Sequence, residues 1–114
     1  MSLTALVYEV ASKLPAEERF ALADQLRRSA VSVPSNIAEG QKRINRAELI
    51  QFCGIALGSN AELETQLLLV QRLYGLEVDP VIQESQSVNN MLTGLIKSLR
   101  TQNREPTTTT ARRS

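Results

Sequence analysis

The chain has 114 residues, of which 42% are hydrophobic, 22% charged and 4% aromatic, and its formal net charge is +1. This length fits one small domain and excludes two, and the small net charge does not by itself demand a nucleic-acid partner. The longest aliphatic run, Leu67 to Val70, is far shorter than the roughly 20 residues of a membrane span, and the N-terminus lacks the pattern of a signal peptide, so we expect a cytoplasmic protein.

Glycine and proline are few and most residues between them favour helices, which predicts an all-α fold of four helices. The first predicted helix covers residues 2–13 and carries apolar residues at three- and four-residue spacing. The second covers residues 15–42, because Pro15 suits the first position of a helix and Glu17 and Glu18 suit the positive end of its dipole. Its apolar stripe is Leu22, Leu26, Ala30, Val33 and Ile37.

The third predicted helix covers residues 45–74, from a capping box formed by Asn45 and Glu48 to a stop at Gly75. Its apolar seam is Leu49, Phe52, Ala56, Ser59, Leu63, Leu67, Val70 and Tyr74. The fourth helix starts at Asp79 and Pro80, with a seam formed by Val81, Ser85, Val88, Leu92, Leu95 and Leu99. Residues 1–101 thus form the predicted bundle, and residues 102–114 have no apolar periodicity, which predicts a disordered polar tail.

Short connections make sequential helices antiparallel, so the predicted architecture is an up-down-up-down four-helix bundle. The first helix is less than half as long as the second and third. Another surface must therefore cover the part of these two helices that the first helix does not reach. The third helix also carries a second apolar stripe, which favours contact with another copy of the chain. The alternative is that this stripe only widens the internal core. Its residues are Ile50, Gly54, Leu57, Ala61 and Leu68.

Pro34 interrupts the second predicted helix without shifting its apolar stripe. Proline removes the amide that would bond the Ala30 carbonyl, so a kink is expected there, at a cost of roughly 3 kcal/mol in an isolated helix. Small polar groups near the kink can form a hydrogen bond with the freed carbonyl or allow a neighbouring helix to approach. Asn36 and Glu39 are among the polar residues assigned to the kink. They lie in a polar stripe formed by Gln25, Arg28 or Ser29, Ser32, Asn36, Glu39 and Arg43.

Two stretches, QLRRSAVSVPSNIAEGQKR at residues 25–43 and ELIQFCGIALGSNAELETQL at residues 48–67, resemble the four-helix bundle family known as 23S rRNA intervening-sequence proteins. The resemblance runs from about residue 15 to 74. Ser29 stands where the family usually has alanine, and Val33 where it has isoleucine.

The resemblance implies a four-helix bundle encoded within insertions in bacterial ribosomal RNA genes. A related branch serves diversity-generating retroelements as an accessory protein. That branch implies a barrel-like homopentamer that binds nucleic acid and contacts a reverse transcriptase. Most members have no assigned biochemical activity.

The charges are unevenly distributed along the chain. From residue 27 to 46, five basic residues face one acid, which gives a local balance of +4, whereas residues 62–84 hold five acids and one arginine, a balance of −4. Basic residues of neighbouring subunits would add into a patch that holds a phosphate backbone through salt-sensitive contacts. An equally weighted alternative is that the basic face pairs with the Glu62 and Glu64 face of an adjacent subunit. The phosphate-contacting candidates are Arg27, Arg28, Lys42, Arg43 and Arg46.

Catalysis is not expected. Histidine is absent, which removes imidazole bases and histidine metal ligands, and Cys53 has no histidine partner to activate it. Glu62 and Glu64 are two residues apart on a helix and point in different directions, and there is no glycine-rich phosphate loop. We therefore expect no cofactor and no metal, and two function classes remain: an oligomeric nucleic-acid-binding accessory factor, or a scaffold that assembles with itself and another protein.

Overall fold

The computed structural model describes the backbone of residues 2–113 and the side chains of residues 3–101. This part of the chain contains no strand and four α-helices: α1 (Ser2–Ser12), α2 (Leu22–Gln41), α3 (Arg46–Tyr74) and α4 (Asp79–Arg113). The prediction of an all-helical chain with four helices is confirmed. Side chains from residue 102 onward, where a disordered tail is predicted, lie outside the described residues. Within the described part, no helix combines the length and apolarity needed to cross a membrane.

The start of α2 differs from the prediction. Pro15 adopts an extended conformation with ψ of 156°, and it leads into a short 3₁₀ helix (Ala16–Glu18) instead of opening the long helix. Ala21, with φ of −123° and ψ of −104°, separates this turn from α2. The Leu22 amide donates to the Glu18 carboxylate at 3.3 Å. Glu18 therefore satisfies an amide at the start of α2, a contact between side chain and backbone that the proline pattern does not reveal.

The other helix ends follow the sequence closely. The Asn45 side chain accepts hydrogen bonds from the amides of Ala47 and Glu48 at 2.7 and 3.3 Å, so it caps α3 as predicted. Gly75 ends α3 in the left-handed region with φ of 68°, a conformation that costs glycine little. Helix α4 already includes Asp79, whose amide donates to the Glu77 carboxylate at 3.2 Å.

The four helices enclose one apolar core, and the neighbours in space are α1 with α2, α2 with α3, α3 with α4, and α1 with α4. The buried seam of α3 is turned slightly from the predicted one, because Cys53 and Asn60 are buried whereas Tyr74 is exposed. In α4, Ile96 is buried and Leu95 is exposed. An α-helix drifts by about 20° per heptad against a strict seven-residue repeat, which explains this exchange after two heptads.

A buried polar pair joins α3 to α4. The side-chain amide of Asn60 donates to the Ser85 carbonyl at 2.8 Å, and the Ser85 hydroxyl donates to the Asn60 carbonyl oxygen at 3.1 Å. Both residues are almost completely buried. Because a buried polar group without a partner is costly, this reciprocal pair favours one register of α4 along α3.

Helix α2 is continuous through Pro34. The Thr4 hydroxyl of α1 donates to the Ala30 carbonyl, the acceptor that lacks an amide partner because of Pro34, over a long distance of 3.4 Å. This contact supplies the recapture that the sequence predicts, but the donor comes from another helix.

Candidate nucleic-acid interface

The middle of the polar stripe of α2 faces α3. The Ser32 and Ser59 hydroxyls share a hydrogen bond of 2.7 Å, and the Asn36 amide donates to the Ser32 carbonyl and hydroxyl at 2.9 and 3.0 Å. These groups are therefore partnered inside the protein. Small polar residues at these positions let α2 and α3 approach each other with their hydrogen bonds satisfied.

The close approach continues to the end of α2. Gly40 is buried, and a Cβ atom placed on it would lie 2.9 Å from the Phe52 Cβ and 3.0 Å from the Leu49 Cδ1. Only a residue without a side chain fits this distance. The turn between α2 and α3 is consequently held tightly against the first turns of α3.

Three basic side chains gather at this turn, and we call Lys42, Arg43 and Arg46 the basic tip. The Arg43 guanidinium donates to Glu39 at 2.7 Å and lies over the Phe52 ring, 4.8 Å from its centroid. Its position is thereby restricted from two sides. Lys42 and Arg46 are exposed, and within the described residues their side chains make no hydrogen bond or ion pair, so both charges are available to a partner.

Helix α4 brings further positive charge to the same end of the molecule. Lys97 and Arg100 border an open groove of about 550 Å³ whose α3 side is formed by Gly54 and Leu57. Gly54 lies eight residues from Arg46 along α3, a rise of about 12 Å. The α4 cations and the basic tip therefore lie within reach of one phosphate backbone.

Arg27 and Arg28 lie elsewhere. The Arg27 guanidinium lies 5.9 Å from the centroid of the Tyr8 ring, against α1. The Arg28 guanidinium donates to Asp24 at 2.9 Å and borders a second groove between α2 and α3. Fifteen residues of α2 and the following turn separate Arg28 from Arg43, about 22 Å if the chain were helical throughout. The five predicted phosphate contacts thus form two groups.

The second apolar stripe of α3, predicted as an oligomer interface, divides between core and surface. Ile50 and Leu57 are half-buried and pack against the core, whereas Gly54 and Ala61 are exposed. Leu68 is 48% exposed. Part of the stripe widens the core, as the alternative interpretation holds, and the remainder is free to contact another molecule.

The site contains little reactive chemistry. Cys53 is fully buried, and burial raises the pKa of its thiol above the ordinary value of 9.0. A thiol with a raised pKa is a poor nucleophile. Among the described residues, no three acidic, cysteine or histidine side chains are grouped so that they could hold a metal ion.

Sequence reasoning missed two groups, one within the basic tip and one farther along α3. The Ile44 side chain, in the middle of the basic tip, is fully exposed. Gln66 contributes a buried side-chain oxygen that has no hydrogen-bond partner. Ile44 was detectable as an apolar residue isolated among polar ones, but no local pattern distinguishes Gln66 from the other polar residues of α3.

Comparison with known proteins agrees with the fold. A family model described as 23S rRNA-intervening sequence protein matches residues 1–95. The chain belongs to the 23S rRNA-intervening sequence protein family. Members of this family are thus the appropriate reference for the fold described above. No curated protein matches the chain.

Among solved structures, this family member is similar to a protein from Bacteroides thetaiotaomicron. That protein is described as having unknown function and as belonging to the S23 ribosomal protein family. The two chains are 26% identical with a TM-score of 0.68, over 84% of this chain and 96% of the other. This similarity supports the helical fold and assigns no activity.

Proposed function

We propose that this protein is a non-catalytic, homo-oligomeric accessory factor that binds nucleic acid through its basic tip. The observation that carries the proposal is the meeting of Lys42, Arg43 and Arg46 at one turn, with Lys97 and Arg100 at the same end of the molecule. Clustered cations bind a phosphate backbone by releasing its counterions, without reading sequence. The family description concerns 23S rRNA, so structured ribosomal RNA is the first ligand to test. Retroelement reverse transcription is the second setting in which the protein could bind nucleic acid.

The architecture proposed for this role is an up-down-up-down bundle in which α2 bends at Pro34. The proposed location of the protein is the cytoplasm. Contacts of Gly40 with Phe52 and of Ser32 with Ser59 support opposite directions of α2 and α3. The loss of the amide at Pro34 supports a bend near Ala30. Such a bend would change the direction of the C-terminal part of α2 and so set the position of the basic tip relative to the core.

Self-association is the second part of the proposal, with the pentamer implied by the family resemblance as the expected assembly. Helix α1 has 11 residues and α3 has 29, so α1 covers less than half of α3. Leu68 is exposed on the predicted stripe. We expect Leu68→Glu to dissociate the oligomer in sedimentation equilibrium, whereas Leu73→Glu, an equally apolar and more exposed position away from the stripe, should leave it intact.

The binding test measures fluorescence anisotropy of structured RNA and duplex DNA over a range of salt concentrations. Lys42→Gln and Arg46→Gln should each weaken binding and reduce the salt slope by about 0.9 per lost contact on duplex DNA. Arg72→Gln is the matched control, because it removes an exposed charge from the acidic half of α3 and should change neither quantity. Glu39→Gln should strengthen binding, since it frees Arg43 from its ion pair.

A scaffold without nucleic-acid binding is the alternative function. It is favoured by the fact that the Arg28 and Arg43 guanidiniums are already paired with Asp24 and Glu39. Absence of binding at low salt by an oligomeric wild-type protein would decide for the scaffold. Equal losses of nucleic-acid affinity in Arg46→Gln and Arg72→Gln would refute a specific role for the basic tip.

A further inference from the structure

A second groove between α2 and α3 lies far from the basic tip and has a different chemical character. We call it the α2–α3 groove, and it has a volume of about 570 Å³. Gln25, Arg28 and Ser29 line it on α2, and Glu62, Thr65, Gln66 and Leu69 line it on α3.

The side-chain oxygen of Gln66 makes this groove unusual. This oxygen is buried and, in the described part of the protein, has no hydrogen-bond partner. Leaving a buried acceptor unsatisfied carries a desolvation penalty, so such groups are rare and call for an explanation. Less than 1 Å² of this oxygen is accessible in the free protein, so a donor from a ligand would remove this penalty after the Gln66 side chain rotates to present its oxygen to the groove.

The other acceptors point to a ligand with several donors. The Thr65 hydroxyl donates its proton to the Ala61 carbonyl at 3.2 Å, so its lone pairs remain for a ligand. Glu62 is exposed and makes no hydrogen bond or ion pair within the described residues. Glu62 and Gln66 are four residues apart on α3, so their Cβ atoms are about 5 to 6 Å from each other on one face.

The charge of the groove favours a cation. Arg28 is the one basic residue in the lining, and its guanidinium is held by Asp24 at 2.9 Å. That pair is neutral, which leaves the Glu62 carboxylate as the uncompensated charge. An anion would meet a carboxylate here, whereas a cation would find an opposite charge and neutral acceptors.

We propose that the α2–α3 groove binds the guanidinium group of an arginine side chain presented by a partner protein. A guanidinium carries five N–H donors in a rigid plane, which suits two acceptors on neighbouring turns better than the compact ammonium of lysine. The half-exposed Leu69 side chain offers an apolar surface for the aliphatic stem of the arginine. This site is separate from the basic tip and does not depend on nucleic-acid binding.

The test uses the full-length protein, with acetyl-arginine amide as the probe and acetyl-citrulline amide as an uncharged analogue of the same shape. Nuclear magnetic resonance follows the side-chain amide of Gln66 and the backbone amides around it. We expect saturable shifts with arginine at about millimolar affinity and none with citrulline. Equal shifts with both probes, or no shift at Gln66 with arginine, would overturn the proposal.

Two pairs of variants separate binding from structure. Glu62→Gln should weaken arginine binding about tenfold, because it removes a charge-assisted acceptor, whereas Glu64→Gln removes the same charge outside the lining and should have no effect. Gln66→Met should abolish the arginine response and raise the melting temperature, because it replaces an unsatisfied buried acceptor by an apolar group of similar size. Gln71→Met, at an exposed position of α3, is its control. A lower melting temperature for Gln66→Met would show that the oxygen already has a partner in the free protein, and the proposal would be wrong.

Discussion

Replacing Gly40 by alanine tests how closely α2 and α3 approach beside the basic tip. The new Cβ would lie 2.9 Å from the Phe52 Cβ and 3.0 Å from the Leu49 Cδ1, closer than unstrained carbon atoms approach. The Phe52 Cβ is attached directly to its backbone and cannot rotate away. The helices themselves must therefore separate.

The expected magnitude follows from two opposing effects. Overpacking in a close contact costs about 2 to 3 kcal/mol, and alanine is favoured over glycine in a helix by about 1 kcal/mol. The net loss in the free energy of unfolding is thus about 1 to 2 kcal/mol. For a chain of 114 residues this lowers the melting temperature by about 4 to 8 °C.

Calorimetry or circular dichroism measures this change. Gly94→Ala is the matched control, because nothing lies within 4 Å of a Cβ at that position in α4. Only the helix preference acts there, and we expect stabilisation of up to about 1 kcal/mol. If Gly40→Ala is as stable as Gly94→Ala, the close approach of α2 and α3 is refuted.

Three further predictions concern other contacts. Thr4→Val should cost about 0.5 to 1 kcal/mol in the wild type and less in a Pro34→Ala background, where the restored amide bonds the same carbonyl; equal costs in a double-mutant cycle would exclude this coupling. Cys53 should react with a thiol reagent only after unfolding, and rapid modification of the native protein would contradict its burial and raised pKa. Tyr74 donates its phenol proton to Glu18, which raises the Tyr74 pKa above 10.0; the stabilisation from this contact is present below pH 10.0 and is lost as pH rises through the higher folded-state pKa. Glu18→Gln should lower the pKa of Tyr74 in an ultraviolet titration, and an unchanged titration would remove the carboxylate as its cause.

Local patterns predicted a large part of the fold. The helix class, the cap at Asn45, the stop at Gly75 and the burial of Cys53 all depend on residues within one or two turns of each other, where propensity and capping chemistry act directly. The start of α2 was predicted wrongly at Pro15. There the local signal for a helix start produced a 3₁₀ turn. The Glu18 carboxylate accepts a hydrogen bond from the Leu22 amide, where α2 begins.

The candidate sites were less predictable. The clustering of Lys42, Arg43 and Arg46 follows from their nearness in the chain, and the distance of Arg28 from them follows from the length of α2. The position of Lys97 and Arg100 beside the first turns of α3 depends on how α3 and α4 pack. The unpartnered Gln66 oxygen has no sequence signal, because it results from which α2 residues lie opposite it.

Residue spacing and short-range hydrogen bonds were enough to predict the set of helices, most of their ends and approximately the face that each one buries, but not the start of α2 or the exact seams of α3 and α4. Which polar groups meet between helices depends instead on how the helices pack. Thr4 reaches the Ala30 carbonyl across 26 residues, and Asn60 pairs with Ser85 across 25. Such contacts depend on the rotation and register of packed helices, and a shift of one residue turns a helix by about 100° and exchanges the partners.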